Sequence, residues 1–202
     1  MSLINPYTGK PVTKDGFVYF FEGSTGTGKT TLIQSIITRI PLNKTGIDFS
    51  GEYTKFGIKP IKLDGRSPKK VGLELIGKYC DLWETVIVLS EAGIYVDNKG
   101  KMDDRLKMLL KEARKRGNWI FADFHKLSEI DIGALGLSDR LYMKRSTMET
   151  MAQIKKFFHY IEIERAYREV MNDTKHVVIK GRKYYIGTRS VDTKRLTLKD
   201  KF

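Results

Sequence analysis

Phe17-Val18-Tyr19-Phe20-Phe21, then Gly23-Ser24-Thr25-Gly26-Thr27-Gly28-Lys29-Thr30, then Leu32, Ile33, Ile36, Ile37 and Ile40 form the stretch that decides the fold. The first run is apolar, aromatic and β-branched, which suits a strand buried on both faces. The last has the spacing of one helix face. Between them stands Gly-x-x-x-x-Gly-Lys-Thr, whose glycines let backbone N–H groups curl around a phosphate. The N-terminus of the following helix adds partial positive charge at the same place. From there Lys29 can reach the β- and γ-phosphates of a nucleotide, and the Thr30 hydroxyl can hold Mg²⁺. A chance glycine-rich turn is the plain alternative, but strand and helix both stand where the chemistry needs them. The expected nucleotide-binding residues are Gly23, Ser24, Thr25, Gly26, Thr27, Gly28, Lys29, Thr30 and Thr31, with ATP and Mg²⁺ as ligands.

Outward from this loop, strands and helices alternate. The first helix should stop before Pro41. Thr45 to Phe49 reads as a short strand ending at Asp48, with a minor strand expected around Ile58 to Leu63. Ser67-Pro68 is a helix start, an N-cap followed by proline in the first turn. Thr85 to Leu89 and Trp119 to Ala122 are buried strands, and Asp103 to Arg116 is a basic amphipathic helix. Leu141 to Met143 should be the last core strand, followed by one long helix from Thr147 to about Val170. Val177-Val178-Ile179 and Tyr184-Tyr185-Ile186 flank Lys180-Gly181-Arg182-Lys183, a hairpin signature. The pattern is that of an α/β protein with a mostly parallel sheet and helices on both faces, plus a C-terminal helix and β-hairpin. One domain over residues 1–202 is expected: an irregular arm at 1–16, a core at 17–145, and a helix, hairpin and basic tail at 146–202.

The chain has 202 residues, enough for one sizeable core. Its 37 Lys and Arg against 24 Asp and Glu leave a net charge of +13, which favours a polyanionic partner such as nucleic acid over a merely solvated surface. Cys80 is the only cysteine, so neither an intramolecular disulfide nor a cysteine-rich zinc site is available. No apolar run approaches membrane-spanning length, and residues 1–15 lack the apolar segment of a signal peptide. A soluble, intracellular protein is expected.

Nucleotide in such a sheet sits at the carboxyl ends of the strands. Asp48, Ser90-Glu91 and Asp123 to His125 all fall at strand ends. Glu91 follows the buried run Val86 to Leu89, where a carboxylate can polarise a water for attack on a γ-phosphate; the plain alternative is a helix-capping carboxylate. The usual ATPase pattern places an Asp directly before this Glu, and here that residue is Ser90. The metal set expected is Thr30, Glu91 and Asp48, with Asp123 able to help through water.

Asp48-Phe49-Ser50-Gly51-Glu52-Tyr53 brings a resemblance. Asp-x-x-Gly-Glu-Tyr after the second strand resembles the FtsK–HerA superfamily of ring-forming DNA pumps. Downstream, Ala113-Arg114-Lys115-Arg116-Gly117, a strand, and His125-Lys126-Leu127-Ser128-Glu129-Ile130 are similar to that family's Arg-rich helix end, sensor strand and polar turn. The resemblance spans residues 17 to 145 and is strongest to the compact genome-packaging ATPases of icosahedral viruses with an internal membrane. It implies a RecA-like P-loop NTPase fold and a homo-oligomeric ring, pentameric or hexameric, around double-stranded DNA. It implies a capsid portal or vertex protein as further partner, and a host-cytoplasmic or virion-associated setting. It also implies catalytic roles for Lys29 and Glu91, an arginine finger at Arg114 or Arg116, and a γ-phosphate sensor at His125, where the family commonly has Gln. Both arginines can equally belong to a solvated helix end, and His125 to an ordinary loop. Lys99, Lys101, Arg105, Lys107 and Lys111, or the hairpin turn and basic tail, are the expected DNA contacts.

The function expected is an ATP-driven translocase that packages a viral genome. Two rivals stand beside it, a morphogenesis ATPase of the same superfamily acting on protein, and a nucleoside-kinase-like phosphotransferase with Arg140, Lys144 and Arg145 as lid cations.

Overall fold

In a computed structural model, the structure describes residues 4–6, 8–12, 15–97, 101–145, 147–157, 162–172, 175–180 and 183–188. The strands are β1 (Phe17–Glu22), β2 (Asn43–Ile47), β3 (Thr85–Leu89), β4 (Trp119–Phe124), β5 (Arg140–Met143), β6 (Lys175–Lys180) and β7 (Lys183–Thr188). The helices are α1 (Lys29–Ile37), α2 (Pro68–Tyr79), α3 (Asp104–Glu112), α4 (Ile132–Leu135), α5 (Met148–Phe157) and α6 (Ile163–Val170). One seven-stranded sheet runs β2-β3-β4-β1-β5-β6-β7. Strands β2 to β5 are parallel, and β6 and β7 are antiparallel. The phosphate-loop strand is therefore central, paired Phe21↔Asp123 with β4 and Phe21↔Tyr142 with β5.

Alternation along β1 feeds two cores. Tyr19 and Phe21 face α1, packing with Leu32, Ile33, Ile36 and Ile37. Val18 and Phe20 belong to the opposite core, with residues of α2, α3, α5 and α6. Helices thus cover both faces, and β3 and β4 are buried along their whole length because neither is an edge. Phe21 stacks on Tyr142 at 4.7 Å and 5°, which locks the register of β1 against β5.

Three expectations fail. Residues 58–63 form no strand; Ile61 instead gives its N–H to the Asp48 carbonyl at 2.9 Å, closing a loop over the end of β2. The helix from Thr147 is two helices, α5 and α6, and residues 158–161 between them lie outside the described residues. Ile154 is buried in α5 and Ala166 in α6. Third, β5 does not end the sheet, since β6 adds to it through Leu141↔Ile179, Tyr142↔Val178 and Met143↔Val177. The basic tail beyond Thr188, Lys99 and the turn residues Gly181 and Arg182 lie outside the described residues.

The arm before β1 is irregular but anchored. Its Ile4 bridges to Pro11, and the Asn5 amide donates to Glu84 at 2.9 Å.

Candidate active site

The loop between β1 and α1 turns on Gly26 and Gly28, both left-handed at φ 77° and 87°. A side chain at either position would be strained, so the sharp entry to α1 requires glycine there. The Lys29 ammonium folds back over the loop and donates to the carbonyls of Gly23 at 2.6 Å and Ser24 at 3.3 Å. The Thr27 hydroxyl donates to the Ser24 carbonyl at 2.8 Å. Lys29 is only 6% exposed, and burial lowers its pKa against the pull of Asp123 and Glu22.

A cleft of about 320 Å³ opens over this loop at the carboxyl end of the parallel strands. Thr25, Gly26, Gly28, Lys29, Thr30 and Thr31 line it from the loop and α1. Ser50 and Glu52 come from the segment after β2, Ser90 and Glu91 from the end of β3, and Asp123 and His125 from the end of β4. The expected residues Gly23, Ser24 and Thr27 stand behind this lining and shape the loop through the bonds just given.

Glu91 sits where β3 breaks into a short 3-10 turn, Ala92–Tyr95, and its backbone is left-handed (φ 54°, ψ 43°). Such a conformation is uncommon for a residue with a Cβ and persists only where surroundings impose it. Here they do: the Glu91 N–H donates to the Asp123 carboxylate on the neighbouring strand. The Glu91 side chain is left exposed at the cleft. Asp123 is buried, and desolvation raises its pKa to about 6, with Lys29 and the Glu91 N–H opposing the rise. Ser90 is buried beside it and gives its N–H to the Ile47 carbonyl at 3.0 Å.

His125 reaches the cleft, and its loop is held by Glu129, which accepts from the His125 N–H at 2.8 Å and the Lys126 N–H at 3.4 Å. A Cβ on Gly93 would lie 2.5 Å from Glu129 Oε2, so glycine is what lets the turn after Glu91 pack against the carboxylate that holds the β4 loop.

Asp48 differs from its expected role. It is fully buried, and its oxygens accept from the N–H groups of Ser50, Gly51, Glu52 and Tyr53 and from the Ser50 hydroxyl. It organises a turn and does not line the cleft. The residue it presents is Glu52, whose Oε2 accepts from the Thr30 hydroxyl at 3.0 Å. Glu52 and Glu129 were both missed as site residues. A signal for the first existed: Asp48 with Ser50 and Gly51 two and three residues on is a side-chain-to-backbone turn signature, which spends the Asp and hands the next carboxylate forward.

Arg114 and Arg116 lie outside this chain's cleft. Their carbonyls accept from Gly16 at 3.4 Å and Glu84 at 2.8 Å, just before β1 and β3, at the amino ends of the strands. The Arg114 side chain is 62% exposed and pairs with Asp139. Arg116 stacks over Trp83 at 5.3 Å, 3.9 Å from Asp81. Among the expected DNA contacts, Arg105 pairs with Asp103 and Lys107 with Asp131, each at 3.0 Å. The lid cations expected of a kinase are engaged elsewhere. Lys144 is buried and donates to the Lys175 carbonyl at 2.7 Å, while Arg140 lies over the Tyr19 ring.

Among the described residues no group of three or more His, Cys, Asp or Glu could hold a metal ion alone. Mg²⁺ keeps several waters and takes phosphate oxygens with one or two protein groups. Thr30 and the carboxylates of Glu52 and Glu91 fit that role. No helix among the described residues is long and apolar enough to cross a membrane.

No family model matches the chain. No curated protein matches it in sequence. Solved structures do match. The genome-packaging NTPase B204 of Sulfolobus turreted icosahedral virus 2, in complex with AMPPCP, superposes with a TM-score of 0.69 at 15% identity, over 85% of this chain and 97% of that one. The DNA-packaging ATPase B204 of Sulfolobus turreted icosahedral virus gives 0.67 at 13% identity, over 85% and 97%. VirB4 of Thermoanaerobacter pseudethanolicus gives 0.60 at 10% identity, over 84% and 88%. The chain has the RecA-like P-loop NTPase fold that these solved structures share.

Proposed function

We propose that the protein is an ATPase motor that translocates double-stranded DNA, in the manner of a viral genome-packaging enzyme. The observation that carries the reading is one cleft in which the phosphate loop, Glu91, Asp123 and His125 converge at the carboxyl end of a parallel sheet. ATP enters with its phosphates over Gly26 and Gly28 and the N-terminus of α1. The Lys29 ammonium leaves the carbonyls of Gly23 and Ser24 for phosphate oxygens, exchanging weak acceptors for charged ones. Thr30 would hold Mg²⁺ beside the phosphates, where the ion would supply positive charge against the charge that builds during transfer. Glu91 is the general base that orients and deprotonates the attacking water, and Asp123 fixes it through its backbone N–H. His125 donates to the γ-phosphate.

The site is completed by a second copy of the chain, which supplies Arg114 from the opposite end of its sheet. Its exposure favours it over Arg116, which is stacked on Trp83. The net charge of +13 supports duplex DNA as the partner, bound through phosphates and indifferent to sequence. The engaged positions of Lys144 and Arg140 disfavour a kinase-like lid.

The test is ATP turnover with and without duplex DNA, together with DNA binding across a salt series. Stimulation by DNA and a steep linear fall of log K with log salt are expected. ATP turnover indifferent to DNA, with no DNA bound at low salt, would transfer the reading to a motor acting on protein.

A further inference from the structure

Glu52 brings a carboxylate into this cleft beside Thr30. We propose that it positions the metal-binding hydroxyl of Thr30 and supplies the negative charge that Ser90 withholds at the end of β3. The inference rests on the ATPase reading above and assigns a residue to it.

The Thr30 hydroxyl donates to Glu52 Oε2 at 3.0 Å. A hydroxyl has one proton and two lone pairs, so fixing the proton on a carboxylate turns a lone pair toward the cleft, where a cation would be met. Most P-loop folds could take that acceptor from the strand beside the catalytic glutamate. Here that position is Ser90, neutral and buried. Asp123 is close by, but one of its oxygens is committed to the Glu91 N–H.

Glu52 is also delivered to its place by construction. Asp48 gathers the N–H groups of Ser50, Gly51, Glu52 and Tyr53 into a turn after β2. From the other side, the Gln34 amide on α1 donates to the Glu52 carbonyl at 2.8 Å. Tyr53, the next residue, is fully buried in the core beneath α1. The segment is thus held to the end of β2 through Asp48 and to the helix that carries Thr30 through Gln34, while the carboxylate itself stays exposed at the cleft. A surface glutamate serving only solubility needs none of these restraints. Magnesium chemistry fits: a carboxylate at this distance can reach the ion through Thr30 and retained water without direct ligation.

The test uses the full chain, Mn²⁺ as a spectroscopic probe and the slowly hydrolysed analogue ATPγS. Free Mn²⁺ is followed by electron paramagnetic resonance as it binds the protein–ATPγS complex, and ATPγS affinity is measured separately in EDTA. Glu52→Gln keeps the shape and an acceptor oxygen but removes the charge. It should weaken Mn²⁺ binding by about 10–100-fold, the usual loss when a partner of a metal ligand is removed. ATPγS affinity in EDTA should stay within about twofold of wild type, because no nucleotide contact is lost. Unchanged Mn²⁺ affinity in Glu52→Gln would overturn the proposal. So would an equal loss of ATPγS affinity in EDTA, which would make Glu52 a prop of the phosphate loop. A wild-type chain that bound neither ATPγS nor Mn²⁺–ATPγS would instead overturn the ATPase reading on which the proposal stands.

Discussion

Replacing Asp123 by asparagine should stabilise the nucleotide-free protein at alkaline pH and leave its stability unchanged in acid. Asp123 is 6% exposed, and its pKa is raised from 3.8 to about 6 by burial, with the attraction of Lys29 already included. The sign follows from which state binds the proton. Between the two values the native state holds a proton that the unfolded chain has released, so native stability rises as pH falls from about 7 to about 4. Above about 6 the native state carries a buried carboxylate at a cost of at most about 3 kcal/mol. Asparagine keeps an oxygen for the Glu91 N–H and does not titrate, so it removes that cost and its pH dependence together. For a chain of this size the full amount corresponds to about 6–12 °C in Tm. The assay is thermal unfolding in EDTA from pH 4 to pH 8, variant against wild type. The gap in Tm should be largest at pH 8 and close toward pH 4. A gap of constant size across the range, or a variant less stable at every pH, would refute the electrostatic account of this residue.

Lys29→Ala should abolish tight ATP binding, whereas Glu91→Gln should keep binding and lower kcat by about 10² or more; near-normal turnover in Glu91→Gln would move the base to another carboxylate. Arg114→Ala should bind ATP and turn over slowly, by about 10³-fold or more, and mixing it with Lys29→Ala should restore part of the activity if the arginine acts across subunits. No recovery in confirmed mixed assemblies would place the arginine within its own subunit. Gly93→Ala drives a Cβ into the Glu129 carboxylate, so it should lower turnover through the His125 loop while shifting Tm by only a few degrees; unchanged kcat would show that Glu129 can retreat without consequence.

The sequence made the loop and the central strands legible because their signals are local and unambiguous. Phe17 to Phe21, Val86 to Leu89 and Trp119 to Ala122 are continuous apolar runs, and continuity survives whatever the neighbours do. What failed depends on partners distant in sequence. The break between α5 and α6 carries no proline or glycine to mark it in the sequence. The pairing of β6 with β5 is antiparallel and follows two helices, which no local pattern specifies. In the site, type and position of the carboxylates were readable, but their division of labour was not. Asp48 and Glu52 are four residues apart on one turn, and only the hydrogen bonds tell which one faces the backbone and which one faces Thr30.

The strand order has a consequence for synthesis. β1 emerges first among the strands, yet both its partners, β4 and β5, lie about a hundred residues or more downstream. At roughly 5–20 residues per second, Phe17 to Phe21 waits on the order of 5–20 s before either flank exists. During that interval an aromatic, uncharged, strand-forming segment is open to pairing with its counterpart on another nascent chain. The strand that leads into the phosphate loop is thereby also an aggregation-prone stretch while the chain is being made. Slower initiation or lower temperature should raise the soluble yield more than any change to the mature surface.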